Sequence, residues 1–108
     1  MTVEQLAKSE GFEALAMPDG ERVINGVYIG DLLSWVMGRA NADNAWITIM
    51  SNINIVAVAS LADVACIVLA ENVMPEQKVI DMANSKGINV IKSTLTAYEA
   101  AVFLSKNS

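Results

Sequence analysis

The most informative segment for the fold of this chain is residues 46–69, WITIMSNINIVAVASLADVACIVL. Residues 46–49 are mostly β-branched or aromatic and predict a strand, and the apolar run Cys66–Leu69 predicts another. The residues between them, 53–61, are ambiguous, because isoleucine and valine favour a strand whereas alanine favours a helix. We interpret them as a helix capped by Asn52, since two apolar strands need a connection and parallel strands need a crossover.

The residues that follow continue the alternation of strand and helix. Pro75 near the start and Gly87 at the end delimit a helix with an apolar face. Residues 88–91 predict a further strand, and residues 96–99 (TAYE) have the form of a capping box that opens a final helix. Strands that alternate with helices in this way predict a mainly parallel sheet with right-handed crossovers.

The first third of the chain has shorter elements. Residues 2–5 (TVEQ) form a capping box that predicts a short helix. Residues 12–17 and 22–24 predict two short strands, which are candidates for an antiparallel edge, and a helix is expected to follow its N-cap Asp31. The sequence as a whole predicts one α/β domain over residues 1–108, with a mainly parallel sheet of about four to five strands and helices on both faces.

The composition narrows the class of function. Of the 108 residues, 54% are hydrophobic and 18% are charged, which is typical of a folded chain. The net charge of −5 argues against nucleic-acid binding, which needs a basic patch. The sequence has no histidine, the commonest metal ligand, and the single Cys66 excludes an internal disulfide and a CxxC metal site. We therefore predict no metal site.

Two segments bear on localisation. The N-terminus has an early acidic residue, Glu4, and no apolar run, so we expect a cytoplasmic protein. Residues 53–70 are apolar and nearly long enough to span a bilayer, but Asn54, Ser60 and Asp63 interrupt them. A carboxylate within a membrane span costs roughly 2.5–3.5 kcal/mol. A buried helix and strand explain this stretch better, and no membrane association is expected.

The high apolar content of the chain predicts that another protein chain covers part of its surface. The helix expected over residues 53–61 is apolar nearly all round, which is typical of a helix that is central or covered by another chain. In a domain of 108 residues a covering subunit is the more economical explanation, and a two-fold homodimer is its simplest form.

Candidate ligand contacts lie where the predicted parallel strands end, because ligands of open α/β sheets collect outside the carboxyl ends of the strands. The loops there supply small polar side chains, namely Ser51, Asn52, Asn54, Ser93 and Thr94. Capping is the alternative explanation, because Asn52 and Thr96 are also the N-caps that the following helices need.

A second set of candidates lies in the segment NGVYIGD, residues 25–31, which resembles a glycine-rich loop that opens a helix. Its candidate contacts are Gly26, Tyr28 and Gly30. The segment is not a P-loop and lacks the third glycine of a dinucleotide fingerprint. Asp31 also disfavours a phosphate at this helix end, because it would place two negative charges there. No cofactor is predicted, and a nucleotide ligand stays an open alternative.

The residue types needed for catalysis do not come together in the sequence. Cys66 lies within an apolar strand and is predicted to be a buried, inert thiol. Asp31, Asp63 and Glu71 fall on different predicted elements, with no histidine or cysteine beside them. We predict no catalytic residues and no enzyme activity.

Residues 25–38 (NGVYIGDLLSWVMG) resemble the opening block of DRTGG-domain proteins. The likeness continues through residues 46–48, 52–59, 87–88 and 93–99, and it spans most of the chain. The name-giving motif is degenerate. Glu21 and Arg22 stand where Asp-Arg is expected, and Asn25, Gly26 and Val27 stand where Thr-Gly-Gly is expected.

This resemblance implies a fold similar to the N-terminal domain of bacterial HPr kinase/phosphorylase. It also implies a regulatory or architectural role, often in dimers, because domains of this family accompany CBS pairs in some manganese-dependent pyrophosphatases and precede phosphotransacetylase domains. Others stand alone, some encoded beside iron-hydrogenase genes in anaerobic bacteria, and the family offers no established catalytic residues. We therefore expect a non-catalytic regulatory or ligand-sensing module, homodimeric and acting with a metabolic enzyme. The alternative is a domain that binds a nucleotide-like small molecule at the carboxyl-end loops.

Overall fold

The computed structural model describes residues 1–107, which form five strands and five helices. The strands are β1 (Phe12–Ala16), β2 (Val27–Ile29), β3 (Ala45–Thr48), β4 (Cys66–Leu69) and β5 (Val90–Ser93). The helices are α1 (Val3–Ala7), α2 (Leu33–Arg39), α3 (Asn54–Ala62), α4 (Gln77–Lys86) and α5 (Ala97–Asn107). Within residues 1–107, no helix combines the length and the apolar character needed to cross a bilayer.

All five strands belong to one sheet, in the order β1-β5-β4-β3-β2. Strands β2, β3, β4 and β5 run parallel, and β1 pairs with β5 in the antiparallel direction at one edge. The predicted α/β fold with a mainly parallel sheet is therefore confirmed. The segment over residues 12–17 supplies the antiparallel edge that the sequence suggested.

Two apolar layers hold the helices on the two faces of the sheet. One layer packs β3 and β4 side chains such as Trp46 against α2, α3 and α4. The other packs the alternate side chains, such as Ile47, against α1 and α5. Successive residues of β3 therefore point into different cores, as the period of two in a strand requires. Both neighbours are fully buried, because helices cover both faces of a mainly parallel sheet.

The ambiguous segment is a helix. Helix α3 ends at Asp63, which adopts a left-handed conformation with φ of 58°. Ile55, Val56, Val58 and Ala59 face the core, whereas Leu61 is 74% exposed. Alternate burial would have marked a strand, but the buried positions follow the helical spacing instead. The apolar outer side of α3 lies at the surface of this chain.

Two predicted strands, residues 22–24 and 88–91, differ from the structure, and β1 and β3 differ from their predicted bounds by one residue. Residues 22–24 do not form a strand, because only Val23 makes an isolated bridge, to Thr2. The second short strand is β2, which lies inside the segment interpreted as a glycine-rich loop. The last strand is Val90–Ser93, not 88–91. The buried side chain of Asn89, just before it, bonds to the backbone of Ala65 and Asp19.

Asp31 is not the N-cap of α2, which is a further correction. The N-cap position is Leu32, which makes no side-chain capping bond. The Asp31 carboxylate turns toward the sheet instead. Its Oδ1 accepts a hydrogen bond of 2.7 Å from the Thr48 hydroxyl and one of 3.0 Å from the Ile49 N–H.

Candidate functional site

The carboxyl ends of the parallel strands bring part of the predicted ligand site together. Gly30 follows β2, the loop at residues 51–52 follows the neighbouring β3, and Asn54 opens α3. Ser93 ends β5 and Thr94 follows it, and β4 separates β5 from β3. Because neighbouring strands lie about 4.8 Å apart, the two groups of candidates are separated by about 10 Å across the edge.

The Ser93 hydroxyl is engaged by the protein itself. It donates a hydrogen bond of 2.9 Å to the Gly11 carbonyl and accepts one of 3.1 Å from the Leu95 N–H. The Thr94 N–H donates to the same Gly11 carbonyl, while the Thr94 side chain is exposed. Ser93 therefore joins the end of β5 to the turn before β1, which gives it a structural role.

The loop after β3 leaves more polar groups available. Asn52 Oδ1 accepts a hydrogen bond of 2.9 Å from the Asn54 N–H, so Asn52 supports the start of α3. The formal N-cap, Ile53, makes no side-chain capping bond. Within residues 1–107, the side chains of Ser51 and Asn54 form no hydrogen bond to other residues, and Asn54 is exposed. In the loop after β3, these two side chains are free to contact a ligand, as is the exposed Thr94 hydroxyl in the loop after β5.

Gly30 is required by the close approach of an aromatic ring. A Cβ atom at this position would lie 2.9 Å from Cε2 of Tyr28, closer than real Cβ contacts. The Gly30 carbonyl accepts a hydrogen bond of 2.9 Å from Nε1–H of the buried Trp46. Two of the three predicted contacts of this segment, Tyr28 and Gly30, are therefore part of the packing around the end of β2.

Three clefts within residues 1–107 are lined by four of the eight candidates, and Gly30, Ser51, Asn52 and Ser93 line none of them. A cleft of about 520 Å³ between β2 and α5 is lined by Gly26 and Tyr28. A cleft of about 510 Å³ between α3 and α4 is lined by Asn54, and one of about 290 Å³ beside β1 and β5 is lined by Thr94. None of the three collects candidates from both carboxyl-end loops.

The amino ends of the parallel strands, opposite to the carboxyl ends described above, carry an ion-pair cluster centred on Arg22. Its Nη2 lies 2.9 Å from Oδ1 of Asp43 and donates hydrogen bonds to Oδ1 of Asp63, at 2.9 Å, and to the Asp63 carbonyl, at 2.6 Å. Asp43 and Asp63 precede β3 and β4, so the guanidinium spans the amino ends of two neighbouring strands. Both aspartates have positive φ, 68° and 58°.

The charges of this cluster hold Arg22 ionised. Burial of the guanidinium by itself would lower the pKa of Arg22, but the hydrogen bonds and negative charges of Asp63 and Asp43 outweigh it and raise that pKa. The Arg22 side chain is 23% exposed, whereas the Asp63 side chain is 67% exposed. Arg22 is thus the more enclosed partner, and its Nε–H and Nη2–H groups donate to Asp43 and Asp63.

Gly26 lies at the amino end of β2 and is needed for the backbone path there. Its φ is +84°, and a Cβ atom would lie 2.9 Å from Nδ2 of Asn44. That Nδ2 donates a hydrogen bond of 2.9 Å to the Asn25 carbonyl. Asn44 is buried and directly precedes β3, so this hydrogen bond links the turn before β2 to the start of β3.

Groups that could react directly with a substrate are few. Cys66 is fully buried in β4, and desolvation raises the pKa of its thiol to about 12, against the opposing charge of Arg22. A thiol with this pKa remains protonated at neutral pH and is a poor nucleophile. Within residues 1–107, no three acidic or cysteine side chains are grouped as a metal site would need.

Comparison with known proteins identifies the family. The DRTGG domain model matches residues 15–106, which includes every strand of the sheet except the first three residues of β1. The chain belongs to the DRTGG domain family. None of the curated proteins matches its sequence.

A solved structure extends this comparison to the fold. The DRTGG domain described here is similar to the CBS and DRTGG domains of the regulatory region of Clostridium perfringens pyrophosphatase, which was solved in complex with its activator, diadenosine tetraphosphate. The TM-score is 0.72 at 14% sequence identity. The match covers 94% of this chain and 44% of the other, so this chain spans less than half of that regulatory region.

The degenerate family motif of this DRTGG domain lies at the amino edge of the sheet. Arg22 and Gly26 hold the loops that lead into β2, β3 and β4, whereas ligands of open α/β sheets bind at the carboxyl edge. Arg22 was expected only as part of the family motif, and its partners Asp43 and Asp63 were not predicted from the sequence. The sequence does hold a signal for these partners. Asp43 and Asp63 each stand just before a predicted strand, and parallel strands begin at the same end of a sheet, so the two carboxylates are expected to lie close together.

Proposed function

We propose that this DRTGG domain is a non-catalytic regulatory module that senses a small ligand and, as a homodimer, acts with a metabolic enzyme. The observation that carries the proposal is the family match over residues 15–106. The likeness in fold to the regulatory region of a pyrophosphatase supports a role in controlling an enzyme. At 14% identity this likeness concerns the fold, so the enzyme that this chain would act with is left to experiment.

The chemistry of the side chains supports a role without catalysis. General acid–base chemistry at neutral pH most often uses histidine, and the sequence has none. The one thiol is buried, with a pKa raised by desolvation to about 12. Two of the acids that sequence analysis considered serve the fold: Asp31 accepts from Thr48, and Asp63 accepts from Arg22.

A nucleotide-like ligand at the carboxyl edge is the second candidate function. It is favoured by the activator named for the pyrophosphatase region, a dinucleotide. That region contains CBS domains as well as a DRTGG domain, so either kind of domain could hold the activator there. In this chain, the free side chains of Ser51 and Asn54 are the groups that would donate to a phosphate or a base.

Calorimetric titration tests the ligand directly, with ATP and diadenosine tetraphosphate as probes. We expect binding to the wild-type chain and its loss in the double variant Ser51→Ala/Asn54→Ala, with an unchanged urea midpoint because neither side chain bonds within the chain. Ser85→Ala is the matched control, since it removes an exposed hydroxyl near the end of α4, away from the carboxyl-end loops, and should leave binding intact. Unchanged affinity in the double variant, or no binding of either probe, would overturn the nucleotide candidate.

The regulatory role is tested on an enzyme recovered by crosslinking in the native cell and then purified. Adding this chain in equal amounts should change the rate of that enzyme, and the change should depend on the small ligand. A crosslinked enzyme whose rate is the same with and without the chain would contradict the regulatory role.

A further inference from the structure

The two edges of the sheet differ in how well they are protected against pairing. At the β1 edge, the exposed Glu13 lies within the strand, and the register shifts between Ala14 and Ala16. A charge and a bulge are the usual devices that keep an edge strand from pairing with another chain. At the other edge, β2 has neither device, since residues 23–30 carry no charged side chain and β2 pairs with β3 in regular register.

The backbone of β2 presents unused hydrogen-bonding groups. The Gly26 carbonyl accepts from Ala45, and the Gly30 N–H donates to Ile47, so these residues turn their groups toward β3. Because alternate residues of a strand bond to opposite sides, Val27 and Ile29 direct their N–H and C=O groups away from β3. The edge therefore offers two donors and two acceptors in a row.

Exposed apolar side chains surround the carboxyl end of this edge. Ile29 is 50% exposed, Leu32 56%, Trp35 52% and Ile49 49%. They are close neighbours, since the Trp35 N–H donates to the Leu32 carbonyl and the Ile49 N–H to the carboxylate of Asp31, next to Leu32. Several exposed apolar side chains near one end of an edge strand are typical of an interaction site.

We propose that two copies of this chain pair through their β2 strands, antiparallel about a two-fold axis at Tyr28, to form one continuous ten-stranded sheet. This inference rests on the homodimer included in the proposed function and assigns its interface. In this register Val27 faces the partner's Ile29, and Ile29 faces the partner's Val27. Each of these pairs exchanges two hydrogen bonds, because all four residues direct their backbone groups outward.

A second copy fits this edge better than another occupant for two reasons. The edge is uncharged, whereas the chain carries a net charge of −5, so here two copies approach without repulsion between like charges at the contact. The strand is also complementary to itself in the antiparallel direction, which a two-fold interface requires.

The cleft between β2 and α5 provides room for the partner's side chains. Val27 and Ile29 line it together with Ala101, Leu104 and Ser105 of α5. The partner's Val27 and Ile29 lie on the same face of the extended sheet and would enter this cleft. Because α5 contacts both β2 and β3, the two copies of α5 would lie about 10 Å apart, a normal distance for packed helices, and the small residues Ala101 and Ser105 suit that approach.

Sedimentation equilibrium of the full chain and of two charge variants tests this interface. Ile29→Lys places a charge on the β2 edge, where the side chain is half exposed, so the fold should survive. Leu61→Lys is the matched control, because it places the same charge on the exposed apolar cleft between α3 and α4. Circular dichroism confirms that both variants are folded.

We expect the wild type and Leu61→Lys to be dimers, and Ile29→Lys to weaken dimerisation at least tenfold. Amide exchange gives a second readout, since the N–H groups of Val27 and Ile29 should be protected in the dimer and become fast-exchanging in Ile29→Lys. A folded Ile29→Lys dimer with unchanged affinity would overturn the β2 interface and leave the proposed dimer standing, and dissociation by Leu61→Lys would move the interface to the α3–α4 cleft. A monomeric wild type would overturn the dimer itself, while ligand binding is tested separately by titration.

Discussion

The guanidinium of Arg22 donates a hydrogen bond of 2.9 Å to the carboxylate of Asp63, 41 residues further along the chain. The contact joins the degenerate family motif to the residue that ends α3, in the loop before β4. The same Nη2 lies 2.9 Å from Asp43, before β3. The arginine of the motif therefore braces the amino edge of the sheet, away from the edge where a ligand is expected.

Replacing Arg22 should cost stability. Arg22→Ala removes charge-assisted hydrogen bonds to Asp43 and Asp63 and leaves two acids facing each other, so we expect the free energy of unfolding to fall by about 1–3 kcal/mol. Arg39→Ala is the control, because Arg39 is exposed and only stacks on Trp35, which is worth about 0.5–1 kcal/mol. Urea denaturation measures both. Equal losses in the two variants would show that Arg22 is not a brace.

Gly26→Ala should destabilise the fold, whereas Gly38→Ala should stabilise it. At Gly26 the φ of +84° and the contact of 2.9 Å with Asn44 make any Cβ unfavourable, and we expect a loss of about 1–3 kcal/mol. Gly38 lies in α2, where an added Cβ would meet nothing within 4 Å, so Gly38→Ala should stabilise the chain by about 0.5–1 kcal/mol. Thermal and urea unfolding provide the comparison. A neutral Gly26→Ala would mean that the turn before β2 is not held as described.

Alanine substitutions at Ser93 and Thr94 should distinguish a hydroxyl that is bonded within the fold from one that is free. Ser93→Ala removes a hydroxyl that bonds to Gly11 and Leu95, and leaves the Leu95 N–H without its acceptor. We expect a loss of about 1–2 kcal/mol, against a change within about 0.5 kcal/mol for Thr94→Ala, whose side chain is exposed. Chemical denaturation of the two variants checks this, and a larger effect at Thr94 would contradict it.

The thiol of Cys66 should make the chain sensitive to alkali. Its pKa is raised by burial from 9.0 to about 12. As the pH rises between these values, the unfolded chain loses the thiol proton and the folded chain keeps it. The free energy of unfolding should therefore fall by up to about 1.4 kcal/mol per pH unit from this group, with no contribution below the lower value.

Cys66→Ala isolates that contribution, because other groups titrate equally in both proteins. Urea unfolding between about pH 8 and about pH 11 should give a steeper decline for the wild type than for the variant. The variant loses some packing at every pH, so the test is the difference in slope and not in level. Parallel curves would contradict the raised thiol pKa.

Much of the fold could be predicted because its decisive segments are long and apolar. Cys66–Leu69 is a strand with the predicted bounds, and it is buried on both faces. The two capping boxes form as expected, with Thr2 and Gln5 bonded at the first helix and Thr96 and Glu99 at the last. These signals are local in the chain, so neighbouring residues are enough to reveal them.

Strand β2 was missed because its signal is not local. Val27–Ile29 is three residues long, lies between two glycines and is only half-buried, so it shows neither a buried run nor a clear alternation. It becomes a strand by pairing with β3. The partners of Arg22 were missed for the same reason, since Asp43 and Asp63 meet it only after the sheet has formed.

The candidate ligand residues could be placed at an edge but not assigned to a single site. Ser51 and Asn54 have free side chains, Ser93 is used by the fold, and Gly26 lies at the opposite edge. Small polar residues at strand ends serve as caps, turn residues and ligand contacts alike, so residue type does not separate these roles. Their part in ligand binding stays a prediction.

Native mass spectrometry of gently purified protein tests whether this chain is a ligand-sensing dimer. We expect an ion at twice the chain mass of 11.5 kDa that carries the added mass of a small molecule, released on denaturation. A bare ion of 11.5 kDa, with neither a second copy nor an added mass, would contradict it.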